Sequence, residues 1–259
     1  MKKVLLTSAL VMSVVASASA NRFDGNPLYR PLEGQWVSDT TIMTNTGTEA
    51  FKGWGVGTSL EYGITDRLSV TVATGAAMFD MFDETHWGTW GAGLSFRALD
   101  NNGLLGDVYG AITRTTMSDW WQFDNGDLYT WTIGTRIGGE VAPGFTLAGF
   151  AEYTYIETDF LRWDRRDNGV AGLALGVMGQ YLIDNNWNVT GQFAYVPFTR
   201  AFGSNDFFDS RAIDMTLAVN YNFTDTMFTG LQVGRTIMLD DMFTEMDEWT
   251  LGARFGVQF

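Results

Sequence analysis

The chain has 259 residues with 30 acidic and 16 basic side chains, a formal charge of -14, no cysteine, one histidine, 30 glycines, 4 prolines and 38 aromatic residues (10 Trp, 9 Tyr, 19 Phe). The charge argues against a nucleic-acid partner, because binding to phosphate needs basic patches. The lack of cysteine excludes a disulfide framework and a thiolate metal site.

Residues 1–20, MKKVLLTSALVMSVVASASA, read as a cleaved secretory leader. Lys2 and Lys3 make a basic start, residues 4–16 are mostly apolar, and Ala18-Ser19-Ala20 is a small-x-small cleavage pattern that predicts a cut before Asn21. Losing Lys2 and Lys3 takes the charge from -14 to about -16. About 239 residues remain, enough for one large β domain. No later apolar run is long enough to span a bilayer as a helix.

Residues 21–34 read as a periplasmic tail, a partial plug or the start of a first strand, and residues 35–44 as the weakest strand of the chain. From there short turns and long connections alternate. The stretches LEYGITDRL (60–68), QYLIDNNWNV (180–189) and VNYNFTDTMF (219–228) each place a tyrosine, an Asp-containing turn and an apolar residue that restarts a strand. The turns at 99–103 (LDNNG) and 142–144 (APG) take the same place in the rhythm. Between them lie longer, wetter connections at roughly 80–86, 118–127, 157–168, 197–210 and 240–247.

The intervening segments alternate with period two, the signature of strands with unlike faces. Leu68, Val70 and Val72 oppose Ser69, Thr71 and Ala73. Ala171, Leu173, Leu175 and Val177 oppose Gly172, Ala174, Gly176 and Gln180. Trp187, Val189, Phe193 and Tyr195 oppose Asn188, Thr190, Gln192 and Ala194. Ile213, Met215, Leu217, Val219 and Tyr221 oppose Ala212, Asp214, Thr216, Ala218 and Asn220. The last strand sets Trp249, Leu251, Ala253, Phe255, Val257 and Phe259 against Glu248, Thr250, Gly252, Arg254, Gly256 and Gln258. Two segments depart from the pattern. Residues 105–114 fit neither parity, and Arg235 falls on an oily one, which predicts a bulge or a place near the membrane surface.

Two features favour a barrel whose oily faces meet lipid over a soluble sandwich or lipocalin-like barrel. The polar parity is rich in Gly, Ala, Ser, Thr, Asn and Gln but poor in the Lys and Glu that coat soluble surfaces. Tyr62, Trp87, Trp187, Tyr195, Tyr221 and Trp249 gather at strand ends, where an interfacial girdle belongs. Five short turns join ten strands, and a first and a last strand make twelve; without the weak first strand, ten remains open.

With its leader, alternating strands and final Phe259, the chain resembles Gram-negative outer-membrane β-barrel proteins of the porin or small-channel kind. The resemblance implies an all-β, transmembrane, antiparallel up-and-down barrel over 35–259, located in the outer membrane. It implies lipid, lipopolysaccharide and the barrel-assembly machinery as partners. Trp249, Phe255, Val257 and Phe259 are then similar to the terminal assembly signal, and the last strand closes the barrel against the first. No cofactor, metal or enzymatic role is implied, and a monomer is favoured.

Glu61, Arg97, Arg136, Glu152, Asp214 and Arg254 are the clearest charges on the lumen parity, with Arg114 a further candidate. They read either as a charged constriction that selects solutes or as a salt-bridge network that stiffens a narrow barrel. Arg136 and Glu152, on two arms of one hairpin, are positioned to pair. The long loops are acidic and aromatic: DMFDETHW, DWWQFDNGD, ETDFLRWDRRD, SNDFFDS and LDDMFTEMDE. They read as a solvated acidic rim, a cation-attracting mouth or a divalent-ion site built on Asp240, Asp241, Glu245, Asp247 and Glu248, although the spacing matches no calcium loop. Trp120, Trp121, Phe207 and Phe208 grip a ligand, pack the loops on each other or rest at the membrane interface. His86 beside Asp83 and Glu84 is the sole candidate for hydrolase chemistry, with no Gly-x-Ser-x-Gly to support it. The leading expectation is a passive channel for small hydrophilic solutes. The alternative is a closed barrel that displays binding loops.

Overall fold

The computed structural model describes residues 25–46, 53–79, 87–117, 126–158, 169–202, 211–239 and 248–259. Residues 1–24, with the expected leader, and His86, Asp83, Glu84, Trp120, Trp121, Phe207, Phe208, Asp240, Asp241, Glu245 and Asp247 lie outside them. The described residues form twelve strands: β1 (Trp36–Asn45), β2 (Gly53–Thr65), β3 (Leu68–Phe79), β4 (Trp87–Asn101), β5 (Leu104–Met117), β6 (Gly126–Ala142), β7 (Phe145–Thr158), β8 (Gly169–Leu182), β9 (Trp187–Phe202), β10 (Ala212–Thr224), β11 (Met227–Met238) and β12 (Glu248–Gln258). Each pairs antiparallel with its chain neighbours, and β1 pairs with β12 to close the barrel. The twelve-strand count is therefore correct, and the weak first strand is real.

Turn chemistry explains the short connections. Asn102 and Gly103 both take positive φ (49° and 82°), as a two-residue hairpin turn requires. The Thr65 hydroxyl accepts from the backbone of Arg67 and Leu68. Asp184 does the same for Asn186 and Trp187. These local bonds satisfy turn donors that no strand reaches. All five short turns lie at one end, and the strand ends that lead to the longer connections lie at the other.

The wall is oily outside and polar inside. Leu231 is 70% exposed and Ile133 59%, while Arg136 is 1% and Asp107 0% exposed. That inverts a soluble core, where charges are the exposed groups. Outward aromatics ring the short-turn end: Trp36 packs on Tyr62 at 4.5 Å, Trp187 on Tyr221 at 4.8 Å, and Phe145 on Tyr181 at 6.5 Å. Trp54, Trp90 and Trp249 are exposed toward the other end. At the seam, the Phe259 N–H donates to Trp36 O and the Trp36 N–H to Phe259 O, at 2.9 and 2.8 Å. No sheet edge is left open, which hydrocarbon surroundings demand.

Register resolves the two irregular segments. In β5 the odd residues Asp107, Tyr109, Thr113 and Thr115 face inward, without a register break against β6. Arg114 therefore faces outward, contrary to its candidacy as a lumen charge, and its guanidinium lies 5.9 Å from the Tyr129 ring. Arg235 also faces outward, with no bulge beside it, and stacks 5.1 Å from the Trp249 ring. Each long stem thus spans apolar wall while its charge meets an aromatic face near the long-loop rim.

Candidate functional site: the lumen

The lumen side chains fall into two tiers. The tier near the short turns is built on Asp107, the inward residue of β5 between β4 and β6. Arg97 and Arg136 are its register partners on either side. Arg97 Nε donates to Asp107 Oδ1 at 2.5 Å, and Arg136 Nε and Nη2 donate to Oδ2 at 2.8 and 2.7 Å. A third guanidinium comes from Arg30, ahead of β1. Its Nη1 lies 3.7 Å from Asp107 Oδ1, and its Nη2 donates to Ser95 O at 2.9 Å and Ser69 Oγ at 3.3 Å. Ser69 donates in turn to Glu61 at 2.5 Å. Across the seam, Arg254 Nη2 donates to Asp39 Oδ2 at 2.5 Å and its guanidinium lies 5.4 Å from the Phe228 ring. Four arginines here meet three carboxylates, Asp39, Glu61 and Asp107.

The tier toward the long loops is acidic. Glu152 accepts from Tyr109 at 2.9 Å, Asp214 from Thr236 at 2.8 Å, and Glu248 from Asn45 at 3.2 Å. All three partners are neutral side chains. Asp214, Thr236 and Glu248 lie in one row across β10, β11 and β12, and Asn45 of β1, the register partner of Thr250, reaches Glu248 diagonally. The expected Arg136–Glu152 pair gives way to a different arrangement. Arg136 turns to β5 and Asp107, while Glu152 engages Tyr109 of the same strand, one tier higher.

Two close approaches shape this interior. The Tyr109 ring lies over Gly134 and the Phe228 ring over Gly256; a Cβ at either glycine would overlap the ring. Glycine at these positions lets a large ring lie flat against the wall instead of filling the bore.

Glu61, Arg97, Arg136, Glu152, Asp214 and Arg254 thus all point into the lumen. The structure gathers Arg97 and Arg136 into one cluster, holds Glu61 beside it through Ser69, and sets the other three apart. Trp249, Phe255, Val257 and Phe259 line the outer wall of β12. Asp107, Asp39, Arg30 and Tyr109 were not singled out by the sequence. Among the described residues no group of three His, Asp or Glu side chains is placed to hold a metal ion.

The segment before β1 belongs to this site. Gly25 lies against Thr190 and Asn220 of β9 and β10. The Leu28 carbonyl accepts from Arg97 Nη2 at 2.7 Å. Tyr29 packs on the inward pair Val37 and Phe228, and Pro31 is fully buried. At the exit, Gly34 N–H donates to Gly63 O at 2.8 Å, and Gly63 N–H to Gln35 O at 3.0 Å. Residues 25–34 therefore cross the lumen from the β9–β10 wall to the β3–β5 wall, as a bar over the short-turn mouth.

No protein-family model matches the chain, and no curated protein sequence matches it. Solved structures do. The translocator domain of the autotransporter NalP from Neisseria meningitidis is similar at a TM-score of 0.57 and 11% identity, over 97% of this chain and 95% of that one. An outer membrane channel from Pseudomonas putida F1 is similar at 0.58 and 13%, over 89% and 97%. The NanC porin is similar at 0.58 and 9%, over 86% and 98%. Such identities speak for the fold alone: the chain has the closed, twelve-stranded architecture of outer-membrane β-barrels.

Proposed function

We propose that the protein is a small passive channel of the Gram-negative outer membrane for hydrophilic solutes, with a lumen that favours cations at its long-loop end. The observation that carries this reading is the inverted polarity of the wall, with Leu231 exposed and Arg136 and Asp107 enclosed. A closed barrel with an apolar outside suits lipid, and a bore lined with charges suits water. The cation preference rests on Glu152, Asp214 and Glu248, whose described partners are neutral. Carboxylates along a low-dielectric wall raise the local concentration of counter-ions. Among proteins of this fold, one neighbour is a porin and another an outer membrane channel, which supports a transport role over a catalytic one. The cleaved leader and the terminal aromatic strand fit export and barrel assembly. Lipid, lipopolysaccharide and the assembly machinery are the matching partners.

Planar-bilayer recording tests the reading. Discrete current steps with a reversal potential displaced toward the cation are expected. A correctly folded barrel that passes neither current nor small sugars into liposomes would contradict it. It would favour the second reading, a closed barrel that displays its acidic-aromatic loops. One observation speaks for that alternative: residues 25–34 lie across the short-turn mouth.

A further inference from the structure

The bar formed by residues 25–34 is anchored unequally along its length. Its exit is firm, bound by backbone to Gly63 of β2. Its centre is held by Arg30 and by the Leu28 carbonyl, which accepts from Arg97 Nη2 at 2.7 Å. The three arginines around Asp107 are not equivalent: those of the wall hold the carboxylate at 2.5–2.8 Å, while Arg30 stands at 3.7 Å. Charge-assisted bonds weaken steeply beyond about 3 Å, so Arg30 is the weakest of the three attachments.

The wall does not need the bar for its own electrostatics. With Arg30 withdrawn, Asp107 keeps both Arg97 and Arg136. Ser69 keeps Glu61. Asn220 at the far end keeps its bond to Asn188 at 2.8 Å. Removing one partner from a buried pair is costly because the other charge is stranded. Here withdrawal leaves Asp107 with two arginines; it breaks the Arg97 Nη2–Leu28 O and Arg30 Nη2–Ser95 O bonds, whose polar ends then meet water. Gly34 supplies a turning point: its φ of 81° is glycine-like, and a Cβ there would meet nothing within 4 Å. Pro27 and Pro31 stiffen the bar between its ends, which favours motion as one piece.

We propose that residues 25–34 are a hinged gate over the short-turn mouth, latched by Arg30 on Ser69, Ser95 and Asp107 and turning on Gly34. The proposal rests on the channel reading. Closed, the bar places Leu28, Tyr29 and Pro31 across the bore; open, it leaves Asp107 held by Arg97 and Arg136.

A cysteine pair tests it cleanly, since the chain has no cysteine of its own. An ideal Cβ at Gly25 lies 3.4 Å from Thr190 Cβ, close to the roughly 3.5–4.5 Å of a disulfide. In the full chain, Gly25→Cys with Thr190→Cys should cross-link under mild oxidant and pin the bar shut. Conductance in planar bilayers should fall by on the order of tenfold or more on oxidation and return on reduction. Arg30→Ala, without cysteines, should raise open probability by on the order of tenfold, the weight of a lost charge-assisted bond. Equal, non-zero conductance in the oxidised and reduced pair would overturn the gate and leave the channel intact. An unchanged open probability in Arg30→Ala would also overturn it. Silence in every form, reduced pair and Arg30→Ala included, would overturn the channel reading and the gate with it.

Discussion

Asp107 carries more of the interior than any other single residue. Two wall arginines and one from the bar converge on a carboxylate with no exposed surface. Replacing it leaves like charges facing each other in a narrow bore. Asp107→Ala should lower stability by about 3–5 kcal/mol, the usual cost of breaking a buried ion pair, read as a lower unfolding midpoint in urea with lipid vesicles. Gly134→Val should displace the Tyr109 ring and free Glu152. A loss of about 1–3 kcal/mol is expected from that crowding, with the tyrosine fluorescence environment as a second readout. The sequence pointed to Arg97, Arg136 and Glu152 through their parity but missed Asp107. The reason is local: β5 carries Gly106 and Gly110 on its outward face and Tyr109 on its inward face, so its alternation is blurred where the key acid sits. Asp39 was missed for a related reason, since β1 shows Ser38, Thr40 and Thr44 outward and reads weakly as a strand. Pairing defeats sequence reasoning for another reason. Arg136 chooses between neighbours on both sides of β6, and spacing along one hairpin shows only one of them.

At the scale of the element, strands β8, β9, β10 and β12 were legible because their two faces differ throughout and Asp- or Asn-rich turns bound them. The short-turn ends were legible too, because Asn-Gly, Pro-Gly and Thr-Asp turns each impose a backbone geometry. The bar was legible only as one of three alternatives, the partial plug: its burial comes from meeting eight strands, β1–β5 and β9–β11, and no periodicity records that. Its arginine, two prolines and tyrosine look equally at home in a tail. Strand pairing at the seam invites a direct test. Val257 lies between Ser38 and Met227, in register with both. Val257→Pro removes a ladder donor, and a loss of about 1–3 kcal/mol is expected from the stranded acceptor, seen as loss of heat resistance in the folded band on gels. On the outer wall, Leu217→Arg should cost about 2–4 kcal/mol if that position lies near the bilayer midplane, measured in the same urea titration.

Among the described residues, acidic and basic side chains are sorted along the bore, with arginines near the short turns and the carboxyl groups of Glu152, Asp214 and Glu248, on neutral partners, toward the long loops. Neutralising the acidic tier (Glu152→Gln, Asp214→Asn, Glu248→Gln) should shift the reversal potential toward zero and flatten the salt dependence of conductance. Everything at this scale depends on the oily face of the wall meeting lipid. The direct measurement uses single cysteines, Leu217→Cys and Phe255→Cys for the outside and Ala218→Cys for the lumen, each carrying a fluorophore in reconstituted vesicles. The account predicts strong quenching of the first two by spin-labelled lipid acyl chains and little quenching at Ala218. A mature chain that stays dispersed without detergent, with Leu217 and Phe255 out of reach of both lipid and water, would contradict it.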